Sequence, residues 1–235
     1  MKYRRVAVVT GGSQGIGEGL TAAFRNIGYA VVANSRSIAP NEEVDFVTVA
    51  GDISDPAVAQ KVIATAVEKF GRIDTLVNNA GIFVGKPFTE YTKEDYERVV
   101  QVNLGGFFHI TQYAISRMLE QGAGHVVNVT TTLVEYANSN VPSALANLTK
   151  GGLSSVTKSL AIEYAGRGIR VNAVSPGHIE TPMHPPSTHD FLADQHPVGR
   201  MGTVDDIAKG VLYLEQAPFV TGEVLHVDGG QSAGS

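Results

Sequence analysis

The chain has 235 residues, enough for one large domain with a sizeable core. Hydrophobic residues at 43% and charged residues at 17% exclude a disordered chain, and no apolar run reaches bilayer-spanning length. A net charge of -5 leaves no basic excess to displace counterions from nucleic acid, and zero cysteine removes disulfides, thiolate nucleophiles and cysteine-held zinc.

The start, Met1-Lys2-Tyr3-Arg4-Arg5, is basic but runs at once into the short apolar segment Val6 to Val9, without the apolar core of a secretory signal. A cytoplasmic protein is the expectation, with a small-molecule substrate and neither nucleic acid nor membrane as partner. Short β-branched runs then alternate with segments of helical period. Strands are predicted over Arg5 to Thr10, Ala30 to Asn34, Phe46 to Val49, Thr75 to Asn78, His125 to Val129, Arg170 to Val174 and Glu223 to Val227. Helices are predicted between them: Ile16 to Ile27, Pro56 to Phe70, Lys93 to Asn103, Gly105 to Glu120, Ser143 to Ala165 and Val204 to Glu215. Such alternation predicts an α/β fold, a Rossmann-like, doubly wound parallel sheet with its crevice at the carboxyl ends of the strands. No internal repeat or linker-like shift divides the chain, so a single domain over 1–235 is expected. The irregular stretch Pro176 to Gly202 holds Pro182, Pro185, Pro186 and Pro197; it is too long for an idle connection and reads as a substrate lid.

The first strand runs into Thr10-Gly11-Gly12-Ser13-Gln14-Gly15-Ile16-Gly17, glycines that open a helix. Glycine lets backbone amides approach a pyrophosphate, and the helix N-terminus adds free N–H groups and positive dipole. Alone, the cluster reads equally as a tight turn. About 20 residues beyond such glycines, NAD-binding folds place an acid on the ribose hydroxyls. Here the chain reads Asn34-Ser35-Arg36-Ser37, with no carboxylate before Glu42. A guanidinium suits a 2′-phosphate, which favours NADP(H) and leaves NAD(H) as the alternative; Arg36 also reads as a solvated loop cation.

Taken together with four later motifs, the loop resembles the short-chain dehydrogenase/reductase family, of the 3-oxoacyl-ACP reductase type, over nearly the whole chain. Residues 10–17 match its TGxxxGxG loop, Gly51-Asp52-Ile53 its adenine-side turn, and Asn78-Asn79-Ala80-Gly81 its NNAG motif. Ser175-Pro176-Gly177-His178-Ile179-Glu180-Thr181 resembles the nicotinamide-side segment, and Val220 to Gly230 its C-terminal stretch. The resemblance implies hydride transfer between nicotinamide and a carbonyl or alcohol. It places Gly11, Ser13, Gly15, Ile16 and Gly17 at the pyrophosphate, Asp52 and Ile53 at the adenine, and Asn79 and Ala80 at the adjoining ribose. Lys150 falls at the nicotinamide ribose, Pro176, Ile179 and Thr181 at the nicotinamide, and Asn103 at the family's catalytic asparagine. Thr131 falls where the family has a substrate-orienting serine, with Thr132 the alternative hydroxyl. A homo-tetramer through Gly105 to Glu120 and Ser143 to Ala165 is also implied, with Phe107, Phe108, Leu153 and Val156 read as either interface or core.

At one position the chain departs from the family. Four residues before Lys150, on the same helix face, the family has a tyrosine that acts as acid and base; this chain has Ala146. Counting back from Lys150 reaches Leu133 instead of Thr131, so the intervening loop is read as two residues longer than usual. Tyr136, His178, His184 and a water held by Asn103 and Lys150 are the candidate substitutes, each with a plain reading as a packing or solvated loop residue. Asn147 can hydrogen-bond but not titrate, and Ser139, Ser143 and Ser154 read as capping or helix-surface hydroxyls. His184, His189, His196, Asp190 and Asp194 gather in the lid, but their spacing matches no metal site, and none is expected. Two functions remain: an oxidoreductase with a modified proton relay, or an inactive nucleotide-binding sensor, scaffold or partner.

Overall fold

A computed structural model describes residues 4–234, so Met1, Lys2, Tyr3 and Ser235 lie outside the described residues, and with them most of the basic start. The strands are β1 (Val6–Thr10), β2 (Ala30–Ser35), β3 (Glu42–Glu43), β4 (Phe46–Ala50), β5 (Thr75–Asn78), β6 (Gly124–Val129), β7 (Ile169–Pro176) and β8 (Val224–Val227). The helices are α1 (Gly15–Asn26), α2 (Pro56–Phe70), α3 (Lys93–Val100), α4 (Gly106–Gln121), α5 (Ala144–Tyr164), α6 (His189–Ala193) and α7 (Val204–Gln216). The strands form one sheet in the order β3-β4-β2-β1-β5-β6-β7-β8, parallel except for β3 against β4. Strand order reverses at β1, which places the crevice of a doubly wound sheet beside its carboxyl end.

Alternation along β1 explains both layers. Val6 and Val8 pack with Ile110, Met118 and Val62 on one face, whereas Ala7 and Val9 pack with Leu20, Phe24 and Val211 on the other. Each of the larger side chains, fully buried, contributes roughly 1.5–3 kcal/mol. None of the described helices is long and apolar enough to cross a membrane.

Three expectations need correction. The edge strand β3 was not predicted, because Glu42 and Glu43 are exposed acids without strand character; Arg25 holds Glu43 at 2.7 Å. The helix expected to reach Asn103 ends at Val100, and Gln101–Gly105 form a π-turn leading directly into α4. Helical period continues across that joint, so apolar spacing alone does not reveal it. Ser143 stands at the start of α5 yet makes no capping bond, so its expected hydroxyl cap is absent.

Two polar networks fix the frame. Near the carboxyl end, the Asn78 amide donates to Thr111 Oγ1 and Asn128 Oδ1, both at 2.9 Å, and Asn128 donates to Thr157 Oγ1 at 2.9 Å. This ladder ties β5 and β6 to α4 and α5. At the amino ends of the strands, Glu215 of α7 accepts from Tyr29 at 2.7 Å, Thr75 at 2.8 Å and His125 Nδ1 at 2.7 Å. Asn172 donates to His125 Nε2 at 3.0 Å, which fixes a neutral ring with its proton on Nδ1. Burial pushes His125 below the usual histidine range; burial pushes Glu215 up, but the three hydrogen bonds outweigh it and hold the carboxyl down to about 2.

Candidate active site

The loops after β1, β2, β4, β5, β6 and β7 enclose a cleft of about 580 Å³. At one end, the turn from β1 into α1 is bare backbone. Gly11 and Gly15 have φ of +68° and +56°, and a Cβ on Gly17 would collide with the Gly11 carbonyl oxygen. Gln14 makes no capping bond to the first turn of α1, so those N–H groups stay free for a ligand. A cradle that side chains would fill, at a helix N-terminus, fits a pyrophosphate.

Asn79 supports the cradle from behind. Its amide donates to the Thr10 carbonyl at 2.9 Å, while the backbone N–H groups of Asn79 and Ala80 donate to Thr10 Oγ1 at 3.1 and 3.0 Å. Beyond it, Asn34 is tied to Val49 and Gly51, leaving Ser35, Arg36 and Ser37 to face the cleft. Ser35 donates to Ser13 at 2.8 Å. Burial raises the Asp52 carboxyl, but bonds from Ser54 and the charges of Arg36 and Arg98 outweigh it and hold it below the usual range.

The other end gathers Thr131, Thr132, Ala146, Lys150, Pro176, His178, Ile179, Thr181 and His184 along the cleft. Lys150 donates to the Val129 carbonyl at 2.7 Å, and burial without a counter-charge pulls its ammonium down to about 8. Asn103 does not line this cleft. It lies behind Gly81, donating to Ile82 O and Thr149 Oγ1 at 3.1 Å, and a Cβ on Gly81 would meet Lys150 Nζ at 3.1 Å and Asn103 Oδ1 at 3.3 Å. Thr131 opens a short 3-10 turn, its Oγ1 accepting from Leu133 N at 3.4 Å. Thr132 is instead buried and donates to Asp228 Oδ2 at 3.2 Å, leaving Thr131 as the freer hydroxyl. Ala146 offers only a methyl, 4% exposed.

The substitute acids fare unequally. Tyr136 does not line the cleft. His178 is 7% exposed, edge-on to His184 and His196, and burial pushes it down to about 4; the solvated-loop reading is overturned, and the ring is neutral at pH 7. His184 is lowered too, by burial and then by His189. Among the described residues no group of three acids or histidines could hold a metal ion.

Segment 176–202 closes on itself where Glu180 N donates to Gly202 O and Gly202 N to His178 O, both at 2.9 Å. It touches both flanks of the cleft. Thr181 packs so close to Gly15 that a Cβ there would meet it at 3.2 Å, and Asn138 donates to Gln195 at 2.6 Å. The apolar wall of Phe83, Val141, Met183 and Phe191 was not singled out from sequence; its one signal was large apolar residues stranded in loops.

A family profile described as enoyl-(acyl carrier protein) reductase matches residues 11–232. The chain is 35% identical to the 3-oxoacyl-[acyl-carrier-protein] reductase FabG of Thermotoga maritima, across 96% of this chain and 97% of that protein. The crystal structure of a 3-ketoacyl-(acyl-carrier-protein) reductase from Brucella melitensis complexed with NADH superposes with a TM-score of 0.90 at 36% identity, covering 97% of this chain and 98% of that one. ElxO with NADP bound superposes at 0.91 and 30% identity, covering 98% of this chain and 100% of that one.

Proposed function

Because the chain belongs to the short-chain dehydrogenase/reductase family, we propose that it is an NAD(P)(H)-dependent oxidoreductase acting on a small carbonyl, imine or alcohol, with an atypical proton relay. One observation carries the reading: the glycine cradle and Lys150 line a single continuous cleft. The dinucleotide supplies hydride chemistry. Gly11, Ser13, Gly15, Ile16 and Gly17 hold its pyrophosphate, Asp52 and Ile53 its adenine, and Ala80 the adjoining ribose, with Asn79 bracing the loop. Lys150 meets the nicotinamide ribose, and Pro176, Ile179 and Thr181 the nicotinamide. Arg36 with Ser35 and Ser37 favours a 2′-phosphate, hence NADP(H), because a guanidinium pairs with it bidentately.

Ala146 holds no proton, so Lys150 is the proton source nearest the reacting oxygen, acting through a water, with Asn103 bracing the wall behind it and Thr131 orienting the substrate. Segment 176–202 serves as the lid. A homo-tetramer through α4 and α5 fits the exposed Phe108 and Ile162, whereas Leu153 is core; light scattering tests it. The function is tested by nicotinamide fluorescence with NADPH and NADH, followed by turnover on ketones, imines and alcohols. NADPH binds more tightly than NADH, and Arg36→Ala narrows that difference by on the order of tenfold. Binding without any oxidation of NADPH across the panel defeats the enzyme reading.

A further inference from the structure

Among the residues lining the cleft, the charged ones are Arg36, Asp52 and Lys150, and the first two follow β2 and β4, far along from the substrate end. At the substrate end, Lys150 is therefore the one formal charge, set in walls of Phe83, Leu133, Val141, Met183 and Phe191. Its ammonium has three donors, one committed to Val129 O, and among the described residues no carboxylate pairs with it. A half-enclosed cation without an anion is complemented by an oxyanion brought from outside. One helical turn before it, Ala146 lines the cleft with only a methyl, its Cβ about 5–6 Å from that of Lys150. The histidines at this end are neutral, and the Thr131 and Thr132 hydroxyls are not acids at working pH.

We propose that this end of the cleft takes an aromatic ketone carrying its own phenolic hydroxyl beside the reacting carbonyl, the hydroxyl docking over the small Ala146 side chain against Lys150. The inference rests on the oxidoreductase reading and names the substrate class of that site: the substrate's phenol replaces the relaying water. On reduction the carbonyl carbon gains a hydride from the reduced nicotinamide dinucleotide. Its oxygen forms a new O–H bond with the phenol's proton, the phenol's O–H bond breaks, and the electron pair stays as a phenolate held by the Lys150 ammonium. Solvent returns the proton on release. The apolar wall accepts the ring, and Phe83 offers it an aromatic partner for stacking.

The test uses 2-hydroxyacetophenone and its methyl ether, 2-methoxyacetophenone. Without nucleotide, the phenolate absorption band of the bound hydroxy ketone develops at a pH at least one unit lower than in water, a tenfold or larger rise in its acidity. Lys150→Met removes that shift, and Ala146→Phe blocks ketone binding while leaving NADPH binding, read by fluorescence, in place. With NADPH, the wild-type protein reduces the hydroxy ketone on the order of 10²-fold faster than the ether, the usual size of general acid catalysis. Equal binding and turnover of the two ketones, or a phenolate shift that survives Lys150→Met, overturns the inference while NADPH binding still supports the oxidoreductase reading. A phenolate shift in a protein that binds no NADPH supports the docking site and defeats that reading instead.

Discussion

Lys150 titrates early because burial disfavours its charged form, and this has two consequences for pH. Reduction draws on the protonated form, so the rate of ketone reduction falls as pH rises through about 8, while alcohol oxidation rises over the same range. Stability moves separately. The folded ammonium deprotonates near 8 and the unfolded one at 10.5, so between those values the unfolded chain binds more protons and the folded state gains stability as pH rises. Urea midpoints across pH 7 to 10 show that rise in the wild type and lose it in Lys150→Met. Residues whose role is local backbone geometry, such as Gly11 and Gly15, were legible in the sequence. The environment of His178 was not. Its burial depends on His184 and His196, contributed by a segment that folds back over it, and no local pattern encodes that return.

At the level of elements, the turn between β1 and α1 is the most constrained piece of the site. Gly17→Ala drives a methyl into the Gly11 carbonyl, so the cradle must open; NADPH affinity drops by at least tenfold, with far-UV circular dichroism unchanged. Helix α5 carries Ala146 and Lys150 and is held in register by the Asn128–Thr157 bond. Asn128→Ala leaves Asn78 and Thr157 each short of a buried partner and lowers stability by about 1–3 kcal/mol, measured by urea unfolding. Six helices and seven strands were legible because apolar period follows burial. Their ends were less so: β7 runs on to Pro176, paired with Val227, where the sequence suggested an end at Val174. The short α6 and its preceding turn lie inside a stretch read as wholly irregular, since prolines mask five helical residues.

Across the whole molecule, the candidate site lies at the carboxyl ends of the strands and the Glu215 network at their amino ends. The Glu215 network joins α7 to the amino ends of β1, β2, β5, β6 and β7, and it was not legible beforehand, because a glutamate at the end of an amphipathic helix reads as solvated. Its carboxyl sits near 2 folded and 4.5 unfolded, so its contribution is complete above about 4.5 and disappears as pH falls toward 2. Glu215→Gln lowers stability at pH 7 by about 3 kcal/mol and flattens the acid limb of a pH–stability curve.

The contact of Thr181 with Gly15 bears on the order of events in a catalytic cycle. A dinucleotide seated on the glycine turn lies beneath the residues that begin the proposed lid, and Asn138 clasps the far side of that lid through Gln195. On the proposed reading, nucleotide release waits for both clasps to part, and the part-exposed Phe83 and Met183 border the way out for a small product. Ordered kinetics are therefore expected, nucleotide first on and last off. Product-inhibition patterns show NADP+ competing with NADPH alone, and Asn138→Ala speeds the final release, raising turnover wherever that release is the slow step.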